Sequence, residues 1–235
     1  MSEPAAAIQK ETTPESSGNT PQEGGAGATI RILVLVSGGG TNLQALIDAQ
    51  AAGKLGPASI TSVISDREGV YALERARLAG IPFCVMAPDK TLPKPERRLE
   101  HSNRILAHAN GLGIDLIVLA GYLQIFQGPI LEHFEHRIIN LHPALLPAYG
   151  GEGMYGDNVH RAVLAAGEKE SGCSVHFVDD GTDTGEVILQ RRVPVLEGDT
   201  IETLASRIHA EEHRAIVEAV QRLCAASTPA TRTSI

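Results

Sequence analysis

Residues Ile32-Leu33-Val34-Leu35-Val36 are apolar without interruption, and Ser37-Gly38-Gly39-Gly40 follows at once. A strand with no polar position has no solvent face, so both of its sides must be covered; that suits a central strand of a parallel sheet with helices above and below. After the glycines, Leu43, Leu46 and Ile47 recur at helical spacing, with Thr41 or Asn42 placed to cap the helix. The same rhythm continues through a strand at Ser59 to Ile64, a helix from Tyr71 to Ala79 stopped by Gly80, and a short strand from Pro82 to Val85. A helix from Pro95 to Asn110 then leads to a second apolar strand, Asp115 to Leu119. Strict alternation of strand and helix predicts an α/β fold with a doubly wound, mostly parallel sheet.

Beyond that point the pattern changes. Arg137 to Leu141 reads as a strand running into His142-Pro143, and a Gly-rich stretch precedes a helix from Val159 to Ala166. Ser174 to Val178 and Val187 to Val195 read as strands, and an amphipathic helix from Thr203 to Ala226 carries Leu204, Ile208, Ile216, Val220 and Leu223. Residues 29–227 therefore predict one Rossmann-like domain. Residues 1–28 are rich in Pro, Gly, Ser, Thr and Glu, too poor in apolar side chains to offset their ordering entropy, and predict a disordered tail. Residues 228–235 predict a flexible end.

Composition narrows the partners. A formal net charge of -8 and 3% aromatic residues argue against a phosphate-tracking surface or a base-stacking platform, which excludes nucleic acid and favours a small molecule. Cys84, Cys173 and Cys224 are odd in number and lack metal-type spacing, so neither a disulfide framework nor a zinc site is expected, and a reducing cytoplasm suits them. No apolar run approaches the roughly 18 to 20 residues of a membrane span, and no signal segment is read at the N-terminus.

Three segments carry candidate chemistry. Ser37-Gly38-Gly39-Gly40-Thr41-Asn42 sits at a strand-to-helix turn, where free backbone N–H groups favour an anion. The dinucleotide fingerprint fits only in part, because Leu43 holds the position of the third glycine, although Asp66 stands where a ribose-binding acid would. A tight turn without a ligand is the bland alternative. Asn140 and His142 leave a strand at the carboxyl edge of the sheet, two residues apart and so on one side, where an amide donor and an imidazole suit charge developing on a carbonyl oxygen. The plain alternative is that both satisfy local backbone groups. Asp179 to Asp183 form an acidic loop that lacks the terminal Glu of a twelve-residue calcium loop, so a solvated turn competes with a functional reading.

Taken together, VLVSGGGTNLQALID, IVLAGYLQI, IINLHPALLPAYGG, SVHFVDDGTDTGEVILQ and RIHAEEH resemble, in order and spacing, the phosphoribosylglycinamide (glycinamide ribonucleotide) formyltransferase family of folate-dependent formyltransferases. The resemblance spans about Ile30 to Leu223. It implies transfer of a formyl group from 10-formyltetrahydrofolate, a cosubstrate, to the amine of glycinamide ribonucleotide in purine synthesis, with no metal, by a monomer or homodimer. It further implies Asn140, His142 and Asp183 as the catalytic set, with His176 in support. Gly40, Thr41, Asn42, His209 and Glu212 would contact the ribonucleotide. Leu123, Gln124, Ile125, Phe126, Asn140 and the loop Asp179, Asp180, Gly181, Thr182 and Asp183 would wall the folate pocket. Gln124 departs from the Arg or Lys often seen there, and His209 from Gln. Arg98, with Arg97 as the alternative, would face the folate, and residues 149–158 would form a mobile loop beside the site.

In this reading Asp183 holds His142 cationic, Asn140 and His142 steady the oxyanion, and Asp183 helps to move the proton that the amine loses. The rivals on the same scaffold are a formyltetrahydrofolate deformylase, a methionyl-tRNA formyltransferase and a non-catalytic nucleotide-binding module. The apolar-poor tail and the acidic charge weigh against the first two, and the three catalytic matches against the third.

Overall fold

The computed structural model describes residues 29–226, so the expectations for 1–28 and for 228–235 lie outside the described residues. Seven strands form one sheet: β1 (Ile30–Val36), β2 (Ala58–Ser65), β3 (Phe83–Val85), β4 (Leu116–Leu119), β5 (Ile138–His142), β6 (Glu170–Phe177) and β7 (Val187–Pro194). Six helices join them: α1 (Thr41–Ala51), α2 (Tyr71–Leu78), α3 (Lys94–Gly111), α4 (Pro129–His133), α5 (Asp157–Ala165) and α6 (Ile201–Ala226). The strand order is β3-β2-β1-β4-β5-β6-β7. The first five strands pair in parallel, and β6 and β7 add antiparallel at one edge.

The apolar run of β1 explains the layering. Ile32, Val34 and Val36 point into a core shared with α1, α2, α5 and α6. Leu33 and Leu35 point the other way, into a core closed by α3 and α4 through Ile105, Ala109, Ile130 and Phe134. Strand alternation thus sorts successive residues into two cores, which is why no residue of Ile32 to Val36 is free to be polar.

Two details correct the sequence reading. Neither Thr41 nor Asn42 caps α1: Gly40 takes the cap position in the left-handed region, at φ 71°, without a side-chain cap, and Thr41 is already helical. The short α4 was not anticipated, because five residues are too few for a 3.6-residue period to show.

Order reverses at β1, since the chain first adds β2 and β3 on one side and then β4 and β5 on the other. The carboxyl ends of β1 and β4 therefore diverge into a crevice, the place where open α/β sheets hold ligands. The turn after β1 and the segment after β4 are fastened together there. Ser37 N donates to Gly121 O at 3.1 Å, and Leu123 N donates to Ser37 Oγ at 2.9 Å.

Candidate active site

One cavity of about 430 Å³ opens along this crevice. Asn140 and His142 reach it from β5, and His176 lies across the antiparallel register, opposite Asn140. Asp183 comes from the loop between β6 and β7 with a left-handed backbone, φ 59°, which Asp adopts more readily than most residues.

Its carboxylate is the meeting point. Asn140 Nδ2 donates to Asp183 Oδ1 at 3.3 Å, and His142 Nδ1 stands 3.5 Å from Oδ2. His176 Nε2 is 3.5 Å from Oδ1, and the Gly151 amide donates to Oδ2 at 3.1 Å. Gly150 lets the neighbouring chain lie this close, since a Cβ there would stand 3.2 Å from Asp183 Cβ and 2.7 Å from a Leu146 methyl.

The partners also fix the tautomers. His176 Nδ1 donates to its neighbour's carbonyl, Phe177 O, at 2.7 Å, so its Nε2 is free to accept from Asn140 Nδ2 at 3.1 Å. His142 Nε2 donates to the Tyr149 carbonyl at 2.8 Å, which leaves Nδ1 to face Asp183. Tyr149 is itself held at φ 58°, with its hydroxyl donating to Glu168 at 2.7 Å. Before any ligand arrives, both Asn140 amide hydrogens and the His142 Nε2 proton are thus already engaged.

Electrostatics corrects one expectation. Burial pulls the His142 imidazole below its usual value, and the Asp183 carboxylate and the Tyr149 carbonyl only partly oppose this. The ring is therefore neutral at pH 7 in the free protein, not cationic, because it is 3% exposed and a charged imidazole would lose its hydration. Burial pushes the Asp183 carboxyl up, but the His176 contact, His142 once it is protonated at the acid pH where a carboxyl titrates, and the Gly151 amide outweigh it, and Asp183 stays below the carboxylate norm. The free site accordingly sets an ionised Asp183 beside a neutral His142.

His101, His160 and His213 are likewise pulled down by burial, while His209 is pulled up by its hydrogen bond to Glu212. Four depressed imidazoles against one raised set the sign of a pH effect. Below about pH 6.5 the unfolded chain takes up protons that the folded chain refuses, so stability is full above that pH and is lost as pH falls. The melting temperature is expected to drop between pH 7 and pH 5, a window above the carboxylate range; a flat or rising profile in a thermal melt would contradict the assignment.

At one end of the cavity Glu212, 4% exposed on α6, accepts from Asn42 Nδ2 at 3.3 Å and from His209 Nδ1 at 2.7 Å. His160 on α5, 1% exposed, sets its ring perpendicular to that of His209 at 6.5 Å. Asn42 Oδ1 and His160 Nδ1 are buried with no hydrogen-bond partner among the described residues. These two polar atoms, on residues that line the cavity, suit a ligand carrying its own donors and acceptors. His160 escaped the sequence reading because a histidine within a helix gives no signal of what it faces.

At the other end Leu123, Gln124, Ile125 and Phe126 form one wall, and Asp179, Gly181 and Thr182 another. The loop holds its shape through Asp179 Oδ1, which accepts from Gly181 N at 3.1 Å and Thr184 Oγ1 at 2.7 Å. Lys94, Arg97 and Arg98 line the mouth, where Lys94 and Arg98 pair with Glu152 of the loop that follows Tyr149. A largely apolar wall facing a polar loop, with a cationic mouth, fits a flat heteroaromatic ligand with an anionic tail. Three expected residues do not line the cavity: Gly40 packs against Ala72 of α2, and Thr41 and Asp180 face solvent.

Compared with known proteins, residues 30–220 match the family model described as formyl transferase. The crystal structure of glycinamide ribonucleotide transformylase 1 from Symbiobacterium toebii is 43% identical, with a TM-score of 0.77 over 90% of this chain and 94% of that one. The chloroplastic phosphoribosylglycinamide formyltransferase of Vigna unguiculata is 39% identical over 83% of this chain, which spans 61% of that protein's length. The trifunctional purine biosynthetic protein adenosine-3 of Drosophila pseudoobscura pseudoobscura is 44% identical over 82% of this chain, which spans 14% of that larger protein. The matched residues take in every strand, the turn after β1 and the loop bearing Asp183. The chain belongs to the formyl transferase family.

Proposed function

We propose that this chain transfers the formyl group of 10-formyltetrahydrofolate to the amine of glycinamide ribonucleotide, giving formylglycinamide ribonucleotide for purine synthesis in a reducing compartment such as the cytoplasm. The observation that carries this reading is the convergence of Asn140, His142 and Asp183 in a cavity whose other lining residues form two unlike groups. The group with the apolar wall and the cationic mouth suits the ring and the carboxylate tail of the folate. The group around Glu212, with the unpartnered atoms of Asn42 and His160, suits the hydroxyls and amide of the ribonucleotide.

The neutral amine attacks the formyl carbon. A C–N bond forms and the carbonyl π pair moves onto oxygen. Asn140 Nδ2 and the His142 imidazole supply the donors, drawn from Asp183 and Tyr149 by an oxyanion that accepts more strongly than a neutral carbonyl. The proton lost by the amine passes, through the Asp183 carboxylate and the His142 Nδ1 that faces it, to the folate nitrogen as the old C–N bond breaks. His142 thus becomes cationic only while the oxygen is anionic. A charge that appears in the transition state and is absent before it stabilises that state selectively.

An absorbance assay for released tetrahydrofolate tests the reading. Release is expected only when glycinamide ribonucleotide is present. Release in water alone would instead indicate a deformylase, and no release under either condition a binding module.

A further inference from the structure

Asp66 is 4% exposed at the end of β2, and nothing in the proposed chemistry uses it. The sequence offered it as a ribose-binding acid, but it does not line the cavity and its oxygens are occupied. Arg67 takes it bidentately, Nε to Oδ1 and Nη2 to Oδ2, both at 2.9 Å. Gln124 Nε2 donates to Oδ2 at 2.6 Å. Ser37 Oγ accepts the Leu123 amide at 2.9 Å.

Gln124 is therefore tied by its side chain to a carboxylate at the end of another strand, while Leu123 before it is held by its backbone to the Ser37 hydroxyl just after β1. Arg67 alone balances the charge. What Gln124 adds is direction: its side chain is drawn down onto Asp66, which fixes the peptide planes of the wall from Leu123 to Phe126. Groups that hold a binding surface in one arrangement lower the ordering cost that a ligand meets on arrival.

We propose that Asp66, acting through Gln124, is the positioning residue that fixes the Leu123–Phe126 wall and thereby sets affinity for the pteridine end of the folate. This rests on the function proposed above, which assigns that wall to the folate. In contrast to a residue that merely stabilises the fold, it should act on one substrate.

The test uses the full chain with Gln124→Met, which keeps length and removes the donor, Gln124→Arg, which keeps a donor for the Asp66 carboxylate, and Asp66→Asn. Steady-state KM for each substrate, kcat, melting temperature and calorimetric titration with tetrahydrofolate are measured. Loss of one hydrogen bond to a charged acceptor predicts that Gln124→Met raises the KM for 10-formyltetrahydrofolate about tenfold, with kcat and the ribonucleotide KM moving far less. Gln124→Arg is expected to recover most of that loss, and Asp66→Asn to exceed it. Equal rises in both KM values, an unchanged folate KM, or a fall in melting temperature with binding intact would each overturn the proposal. Wild-type chain that neither binds tetrahydrofolate nor turns over would remove the underlying function as well, whereas wild-type activity with an unaffected Gln124→Met removes the positioning role alone.

Discussion

Asp183→Asn and His142→Ala are each expected to lower turnover at least about a hundredfold, with the melting temperature within a few degrees of wild type. In the proposed reaction the Asp183 carboxylate has three tasks at once: it accepts from Asn140, faces His142 Nδ1, and would be the anion through which the proton moves. Asn at this position tolerates the same left-handed backbone, so the loop keeps its path. It presents an NH2 where an acceptor is needed, however, and takes away the larger of the two charges, Asp183 and Glu212, that pull the His142 pKa upward. The His142 titration, followed by NMR in Asp183→Asn, should therefore move lower still. His142→Ala removes one oxyanion donor, an effect of roughly 10² to 10³ in rate, and leaves the Tyr149 carbonyl without its partner. Because the His142 ring itself lines the cavity, water can enter in its place and reach that carbonyl, which keeps the cost to folding small. Single-turnover rates with both substrates saturating, measured beside thermal melts, separate the two effects; near-normal turnover in either purified variant would remove the mechanism.

Gly40→Ala is expected to destabilise the fold by about 3 kcal/mol or more and to lower the melting temperature by roughly 10 °C. Two causes add. Residue 40 has φ 71°, a region that costs an L-residue about 1 to 2 kcal/mol. A Cβ there would also stand 2.6 Å from Ala72 Cβ and 2.8 Å from Ala72 Cα, backbone of α2 that has no rotamer by which to yield. The turn and α1 must shift away, carrying Asn42 off Glu212, so the ribonucleotide KM should rise well beyond the folate KM. Gly39→Ala is the internal control, since a Cβ at Gly39 meets nothing within 4 Å and its melting temperature should hold. Equal melting temperatures for the two variants would show that Gly40 is not where the turn is sterically locked.

The two glycines also show what a sequence can and cannot convey. The run Ser37-Gly38-Gly39-Gly40 announces a tight strand-to-helix turn, yet which glycine is indispensable depends on Ala72, thirty-odd residues away in the chain. Strands β1 and β4 were legible because complete burial leaves only apolar residues possible, and the meeting of Asn140 with His142 followed from the two-residue period of a strand. The protonation of His142 was not legible. A neighbouring carboxylate is visible as a motif, but the burial that outweighs it is a property of the packed structure. The Tyr149 carbonyl was invisible for a different reason: any residue has a carbonyl, and only the backbone path turns this one toward the imidazole. Arg97 and Arg98 both line the cavity, so their placement does not choose between them, and Arg98 is the one engaged by Glu152.

The most direct measurement is a crystal structure with a stable bisubstrate adduct, in which a tetrahedral carbon bearing a hydroxyl joins the folate nitrogen to the ribonucleotide amine. The account predicts that hydroxyl within about 3.2 Å of both Asn140 Nδ2 and a His142 ring nitrogen, with the Asp183 carboxylate beside the joined nitrogens. A hydroxyl turned toward solvent, with the amide and the imidazole still held by Asp183 and Tyr149, would contradict it.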